Sequence, residues 1–249
     1  MKIGLFIPCF MNELYPDVCV ATYKLLKNLK LDIDYPMSQT CCGQPMANSG
    51  CSKDIETLAK QFVETFKDYD YIVAPSGSCV AMVKDHYGVF FEDDDADYVK
   101  VKTSIYEVCE FLHDVVKIDK LDVSFPHKVG LHNSCHGHRM LKLATPSELN
   151  IPYDSKLKNL LSLVKDIELV TLKREDECCG FGGTFSVTEE DISIAMGKDR
   201  IKDHIDSHAQ YITGADMSCL MHLDGIINRN NENIKVKHIV EILAGANNE

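Results

Sequence analysis

Short runs of β-branched, aliphatic and aromatic residues alternate along this chain with longer stretches in which apolar residues return every three or four positions. The runs at 3–7, 71–74, 129–132 and 210–213 predict strands, and 34–36 and 167–171 are weaker candidates. Between them, Leu14, Val18, Ala21, Leu25 and Leu29 keep helical spacing, as do Ile55, Leu58, Phe62 and Phe66. Ile192, Ala195, Met196 and Ile201 give the same signal later in the chain. Strand–helix alternation of this kind builds βαβ units, so the expectation is an α/β fold with mainly parallel sheets.

The pattern also repeats. Lys2-Ile3-Gly4-Leu5-Phe6-Ile7-Pro8-Cys9 resembles Lys128-Val129-Gly130-Leu131-His132-Asn133-Ser134-Cys135, each an apolar run ending in cysteine. Cys41-Cys42-Gly43 returns as Cys178-Cys179-Gly180. The run from Tyr71 to Ser76-Gly77-Ser78-Cys79 returns as the run from Tyr211 to Asp216-Met217-Ser218-Cys219. Val101-Lys102 leading into Ile105-Tyr106-Glu107-Val108 matches Val236-Lys237 leading into Ile239-Val240-Glu241-Ile242. Landmarks in one order at similar spacing predict a duplicated unit. The expected division is 1–122 and 123–249, two repeats related by a pseudo-twofold, with the polar, proline-bearing stretch 119–127 as connector.

Composition narrows the function. With 249 residues, 45% hydrophobic and 26% charged, the chain has the makeup of an ordinary globule. A net charge of −12 with no basic block argues against a nucleic-acid surface. No apolar run approaches the roughly 20 residues of a transmembrane helix. The N-terminal run is too short for a signal peptide, so a cytoplasmic location is expected.

Eleven cysteines change the picture. Structural disulfides are rare in a reducing compartment, and clustered cysteines there point to metal or redox chemistry. Cys9, Cys79, Cys135 and Cys219 each fall at or just past the C-terminal end of an expected strand, where open α/β sheets bind ligands. With Cys41 and Cys42 in the first repeat, and Cys178 and Cys179 in the second, each repeat offers four candidate metal ligands. Four thiolates suit one iron–sulfur cluster of the cubane [4Fe-4S] type or one tetrahedral zinc. Adjacent cysteines reach different irons of a cluster more easily than they share one zinc. One or two clusters per chain are expected, with zinc in one repeat as the alternative. Cys19 and Cys109 lie in helical stretches and Cys51 has no counterpart, so these three read as inert thiols.

His132, His136 and His138 surround Cys135. His136 is a candidate iron ligand, donor to a cluster sulfur, or partner of Arg139 in binding a quinone or anion; the pair is read as cofactor-binding support. His222 reads as support or core. Gly180-Phe181-Gly182-Gly183 lacks the spacing of a nucleotide loop. The acidic run 92–95 reads as a solvated loop. Asp216 is a candidate oxygen ligand or helix cap. No catalytic acid or base stands out.

On these motifs the chain resembles the cysteine-rich CCG-domain family, which includes the cysteine-rich subunit of heterodisulfide reductase and the iron–sulfur subunits of glycolate oxidase and anaerobic glycerol-3-phosphate dehydrogenase. Pro8-Cys9, Cys41-Cys42-Gly43-Gln44-Pro45 with Asn48-Ser49-Gly50, His132-x-x-Cys135-His136-x-x-Arg139, Cys178-Cys179-Gly180-Phe181-Gly182-Gly183 and Ser218-Cys219-Leu220-Met221-His222 carry the likeness over nearly the whole length. They look most like the short, stand-alone members that serve a three-protein L-lactate oxidation system. The family's closing Cys-x-x-Cys is here Ser76-x-x-Cys79 and Asp216-x-x-Cys219, one thiol fewer per repeat. The resemblance implies an electron-transfer subunit, with partner subunits of a lactate-to-pyruvate complex and the quinone pool further on. Two rivals stand beside it: a cluster-bearing oxidoreductase acting directly on a disulfide or hydroxy acid, and a zinc-binding structural subunit.

Overall fold

A computed structural model describes residues 1–246. Its strands are β1 (Lys2–Leu5), β2 (Asp32–Asp34), β3 (Tyr71–Ala74), β4 (Ile105–Glu107), β5 (Lys128–Leu131), β6 (Glu168–Val170), β7 (Tyr211–Gly214) and β8 (Lys235–His238). They form two four-stranded sheets, ordered β2-β1-β3-β4 and β6-β5-β7-β8. All pairings are parallel. Even the register repeats: Ile3 sits beside Ile33 and Tyr71, and Val129 beside Leu169 and Tyr211. The expected α/β fold of two similar repeats is therefore the observed one.

Helices cover both faces of each sheet, which is why the central strands are apolar without alternation. Ile3, Ile72, Val73, Val129 and Ile212 are all buried. Phe6, Phe62 and Phe66 interlock over the first sheet, with ring centroids 4.6–5.8 Å apart. In the second sheet the central β5 carries Gly130, where an added Cβ would fall 2.2 Å from His204 Nδ1, so only glycine lets this helix lie so close.

Several elements differ from the sequence reading. The first helical stretch breaks at Tyr15. Cys9–Leu14 is one helix and Pro16–Asn28 the next, because Pro16 lacks the N–H to continue but suits a first turn. Leu14 is consequently exposed, and Leu29 lies just past the helix. β2 ends at Asp34, two residues ahead of Pro36, since proline cannot donate to a ladder. Strands β4 and β8 stand at sheet edges where no strand was expected. In the helix Glu190–Asp206, Ile192 faces solvent and the buried stripe is Ser193, Gly197, Arg200, Ile201, Asp203 and His204.

The halves meet along the pseudo-twofold. Ser76 and Asp216, equivalent positions, form an antiparallel bridge, and Gly77 N–H donates to the Ala215 carbonyl at 3.3 Å. Among the described residues no helix is long and apolar enough to cross a membrane.

Glu107, at the tip of β4, is fully buried and caps the following turn by accepting from the N–H groups of Cys109 (2.7 Å) and Glu110 (3.2 Å). Burial pushes its pKa up from 4.5 to about 8. The folded state thus holds this proton over a range in which the unfolded chain has released it. Stability from this group is greatest below pH 4.5 and falls as pH rises towards 8. Glu107→Gln keeps the acceptor and removes the charge. It is expected to match wild type in urea melts near pH 4.5 and to exceed it at pH 9 by on the order of 2–4 kcal/mol. Parallel stability–pH curves for the two proteins would contradict this assignment.

Candidate metal centre

Each sheet order places the chain reversal at its central strand: β1 is followed by β2 on one side and β3 on the other, as β5 is by β6 and β7. The crevice beyond the strand tips at such a switch point is where open α/β sheets hold ligands. Cys9 opens the helix directly after β1, and Cys79 sits in the helix Gly77–Ala81 after β3. Cys135 follows β5, and Cys219 lies in the helix Met217–Asn230 after β7. The Cys-Cys-Gly turns arrive from β2 and β6. Gly43 and Gly180 take φ of 84° and 88°, a left-handed conformation that turns the chain over the tips and favours glycine.

These turns bring the thiols into two continuous sets. Cys9 Sγ lies 3.3 Å from Cys41 Sγ. Cys41 and Cys42 are hydrogen-bonding neighbours, and Cys42 in turn meets Cys79. In the second half Cys178 sits between Cys135 and Cys179, and Cys179 between Cys178 and Cys219. Backbone N–H groups of Gly43 and Gly180 donate to Cys41 and Cys178 at 3.4 and 3.3 Å. Cys42 and Cys179 are each 2% exposed; the first set runs from there to the surface at Cys9, while the outer members of the second, Cys135, Cys178 and Cys219, are half-buried.

The charge pattern follows. Hydrogen bonding from Cys42, then Cys9, pushes Cys41 down to about 3, and Cys135, then Cys179, push Cys178 down to about 2. Cys9, Cys42, Cys135 and Cys179 are all pushed up, first by bonding to the neighbouring sulfur. The bonding between sulfurs thus favours thiolate at Cys41 and at Cys178 over the neighbours that donate to them. Soft, converging thiols with this arrangement suit iron–sulfur or zinc chemistry.

The other singled-out residues separate clearly. Asp216 has no oxygen to spare: it accepts from Ser78 N–H (2.7 Å) and Ser78 Oγ (3.3 Å) across the halves, and from Ser218 N–H (3.3 Å) and Ser218 Oγ (2.8 Å). It caps two helices. Gly183, at φ 63°, meets Asn48: an added Cβ would lie 2.3 Å from Asn48 Nδ2. Thr184 and Ser49 hydroxyls are hydrogen-bonded at 3.2 Å. The glycine run after Cys179 thus packs against the Asn48-Ser49 turn after Cys42, joining the two sites' loops. Cys19 and Cys109 lie apart in their helices, and Cys51 is exposed with its thiol towards the Ser49 carbonyl. Asp95 of the acidic run caps a helix, accepting from Tyr98 N–H at 2.9 Å.

His136 is half-buried beside Cys135. Arg139 is exposed, paired with Glu148 at 2.8 Å, and borders a groove of ≈ 450 Å³ with Lys142, Leu149, Ile151 and Lys156. His138 is buried. The histidine that joins the thiols is His132: a ring nitrogen lies with Cys179 and Cys219 Sγ in a group whose atoms are all within 4.8 Å of one another. Arg200 donates from Nε to His132 Nδ1 at 3.3 Å and from a guanidinium nitrogen to Asp203 at 3.1 Å. Burial, then the Arg200 charge, pushes His132 down to about 3. Sequence reading passed over Arg200, Asp203, Ser193 and His204. The one available signal was that these polar residues share the face of a helix whose opposite face carries Ile192.

The comparisons agree with this geometry. A family model described as a cysteine-rich domain, CCG, matches residues 3–84 and 129–224. Lactate utilization protein A of Geobacillus thermodenitrificans is 41% identical over 98% of this chain and 98% of its own. Lactate utilization protein A 1 of Bacillus mycoides is 38% identical over 98% and 96%. A hypothetical protein from Helicobacter pylori shares the fold, with a TM-score of 0.62 at 8% identity; this chain spans 49% of its length. The chain therefore belongs to the CCG cysteine-rich-domain family, carrying one copy of the domain in each half.

Proposed function

We propose that this protein is the iron–sulfur electron-transfer subunit of a multi-protein system that oxidises L-lactate to pyruvate. The observation that carries the proposal is the pair of four-thiol sets at the strand tips, each with a buried Cys-Cys turn member, the first reaching the surface at Cys9 and the second remaining partly buried. The lactate role rests on full-length similarity to the lactate utilization A proteins. Cys9, Cys41, Cys42 and Cys79 would hold one group, and Cys135, Cys178, Cys179 and Cys219 the other. A [4Fe-4S] cluster supplies one-electron storage and release when bound.

The chain's residues do the rest. Gly43 and Gly180 N–H groups stabilise thiolate at Cys41 and Cys178. The raised thiols must lose protons on loading, so loading is favoured by rising pH. Buried Cys42 and Cys179 keep water from the inner side, while the exposed rim at Cys9 leaves a short path to a docked partner. Asp216, fully used as a cap, offers nothing to a metal.

A second reading has the chain work directly on an anionic hydroxy acid in the groove beside Arg139, but Glu148 and Asp154 share that lining, Arg139 already pairs with Glu148 and Lys156 with Asp114. One experiment decides between them. The metal-loaded, isolated protein is incubated with L-lactate and an artificial electron acceptor. The carrier reading expects no turnover until partner subunits are added; turnover by the chain alone would overturn it in favour of the enzyme.

A further inference from the structure

The two thiol sets have different surroundings. In the repeat, Phe6 after β1 is the counterpart of His132 after β5, and Met82 the counterpart of His222. Phe6 is fully buried against Phe62 and Phe66 and offers no donor. Tyr87, near the first set, donates its hydroxyl to the Cys42 carbonyl at 3.0 Å. The glycine N–H bonds to Cys41 and Cys178 are matched in both halves. His222 faces the Ser193 carbonyl, 3.3 Å from its Nε2. His222 is thus engaged with backbone; His132 is a donor with no counterpart in the first half, and its Nε2 is not so engaged.

Its tautomer follows from its partner. A guanidinium has N–H donors and no acceptor, so Nδ1 of His132 accepts from Arg200 and the ring proton sits on Nε2. That Nε2 is buried and makes no hydrogen bond within the protein. A buried donor left unpaired is costly, and a ring nitrogen of His132 lies within 4.8 Å of the sulfurs of Cys179 and Cys219. Resting on the iron–sulfur reading above, we propose that His132 Nε2–H donates to a thiolate sulfur of the second site. This donor gives the second site a higher reduction potential than the first. Reduction adds negative charge, which a hydrogen bond to sulfur stabilises and the apolar ring of Phe6 does not. Arg200 is the positioning residue that fixes the tautomer.

The test uses full-length protein purified anaerobically, in a Cys42→Ser background so that the second half alone is loaded. Iron and sulfide are assayed first, then the site is titrated against potential and followed by EPR. His132→Leu is expected to keep iron and to lower the midpoint. At the parent's midpoint the reduced-to-oxidised ratio should fall about tenfold, ~59 mV for one electron. His132→Gln, which restores an N–H, should recover most of that shift. An unmoved midpoint in a loaded His132→Leu protein would overturn the proposal alone, as would equal shifts in both variants, which mark a change of burial. Loss of iron in both variants would make His132 a ligand instead of a donor and overturn the assignment. Absence of iron and sulfide from the wild-type chain would overturn the iron–sulfur reading, and this inference with it.

Discussion

Cys179→Ser is expected to lose the bound iron and visible absorbance of the second half while the first half keeps both; Cys42→Ser is expected to do the reverse. Each variant should retain about half of the wild-type iron if both halves are loaded. The reason is local. Cys42 and Cys179 are the most buried members of their sets and lie between two other thiols. A serine hydroxyl there stays protonated near neutral pH and is a poor ligand for a soft metal site. Cys19→Ser and Cys109→Ser provide the controls, since Cys19 bonds to the Tyr15 carbonyl of its own segment and Cys109 lies beside Glu107. They should keep full iron and lose stability alone, roughly 1–3 kcal/mol where buried. Iron and sulfide per chain, with a urea melt of each variant, check this. Equal iron loss in all four proteins would mean global unfolding and would remove the support for specific ligands.

The second large effect is expected at Arg200. Its side chain is fully buried, paired with Asp203 at 3.1 Å, donating to the Arg174 carbonyl and to His132. Arg200→Met leaves the Asp203 carboxylate buried without its counter-charge, although Lys173 and Arg174 N–H groups still donate to it at 3.2 Å. Removing one partner of a buried pair typically costs about 3–5 kcal/mol. Arg200→Met with Asp203→Leu removes both charges and should recover part of that loss. Denaturant unfolding of the two variants measures it. A cost for Arg200→Met below about 1 kcal/mol would show that the pair contributes little to folding.

The duplication was legible because parallel central strands are written as continuous apolar runs, and because each run ends in a cysteine. Lys2 to Cys9 and Lys128 to Cys135 carry the same pattern at residues the fold uses identically, down to the pairing of Ile3 and Val129. Edge strands were not legible. Ile105–Glu107 and Lys235–His238 are three and four residues long, and Lys235 is exposed; such segments have no period to detect. The helix at 190–206 misled for a different reason. Apolar spacing selects Ile192, yet the fold turns that residue outward, because Ser193 Oγ reaches the Gly180 carbonyl and Arg200 reaches the Arg174 carbonyl and His132.

The candidate site was legible as a set of cysteines and not as a geometry. Three histidines flank Cys135 in the sequence, and spacing alone does not say which one meets the thiols. The end of β5 decides it, setting His132 beside Cys179 and Cys219 while His136 lies in the turn beyond. The glycine run after Cys179 shows in sequence only that it lacks nucleotide-loop spacing; its packing role depends on Asn48, more than a hundred residues earlier, which lies against Gly183.

The central claim, that each four-thiol set is built for an iron–sulfur cluster, is tested most directly by assaying iron, acid-labile sulfide and zinc in the anaerobically purified full-length protein. The account predicts iron and sulfide in equal amounts, about four of each per loaded half, with little zinc. Zinc bound at about one per set, with no sulfide, would contradict it.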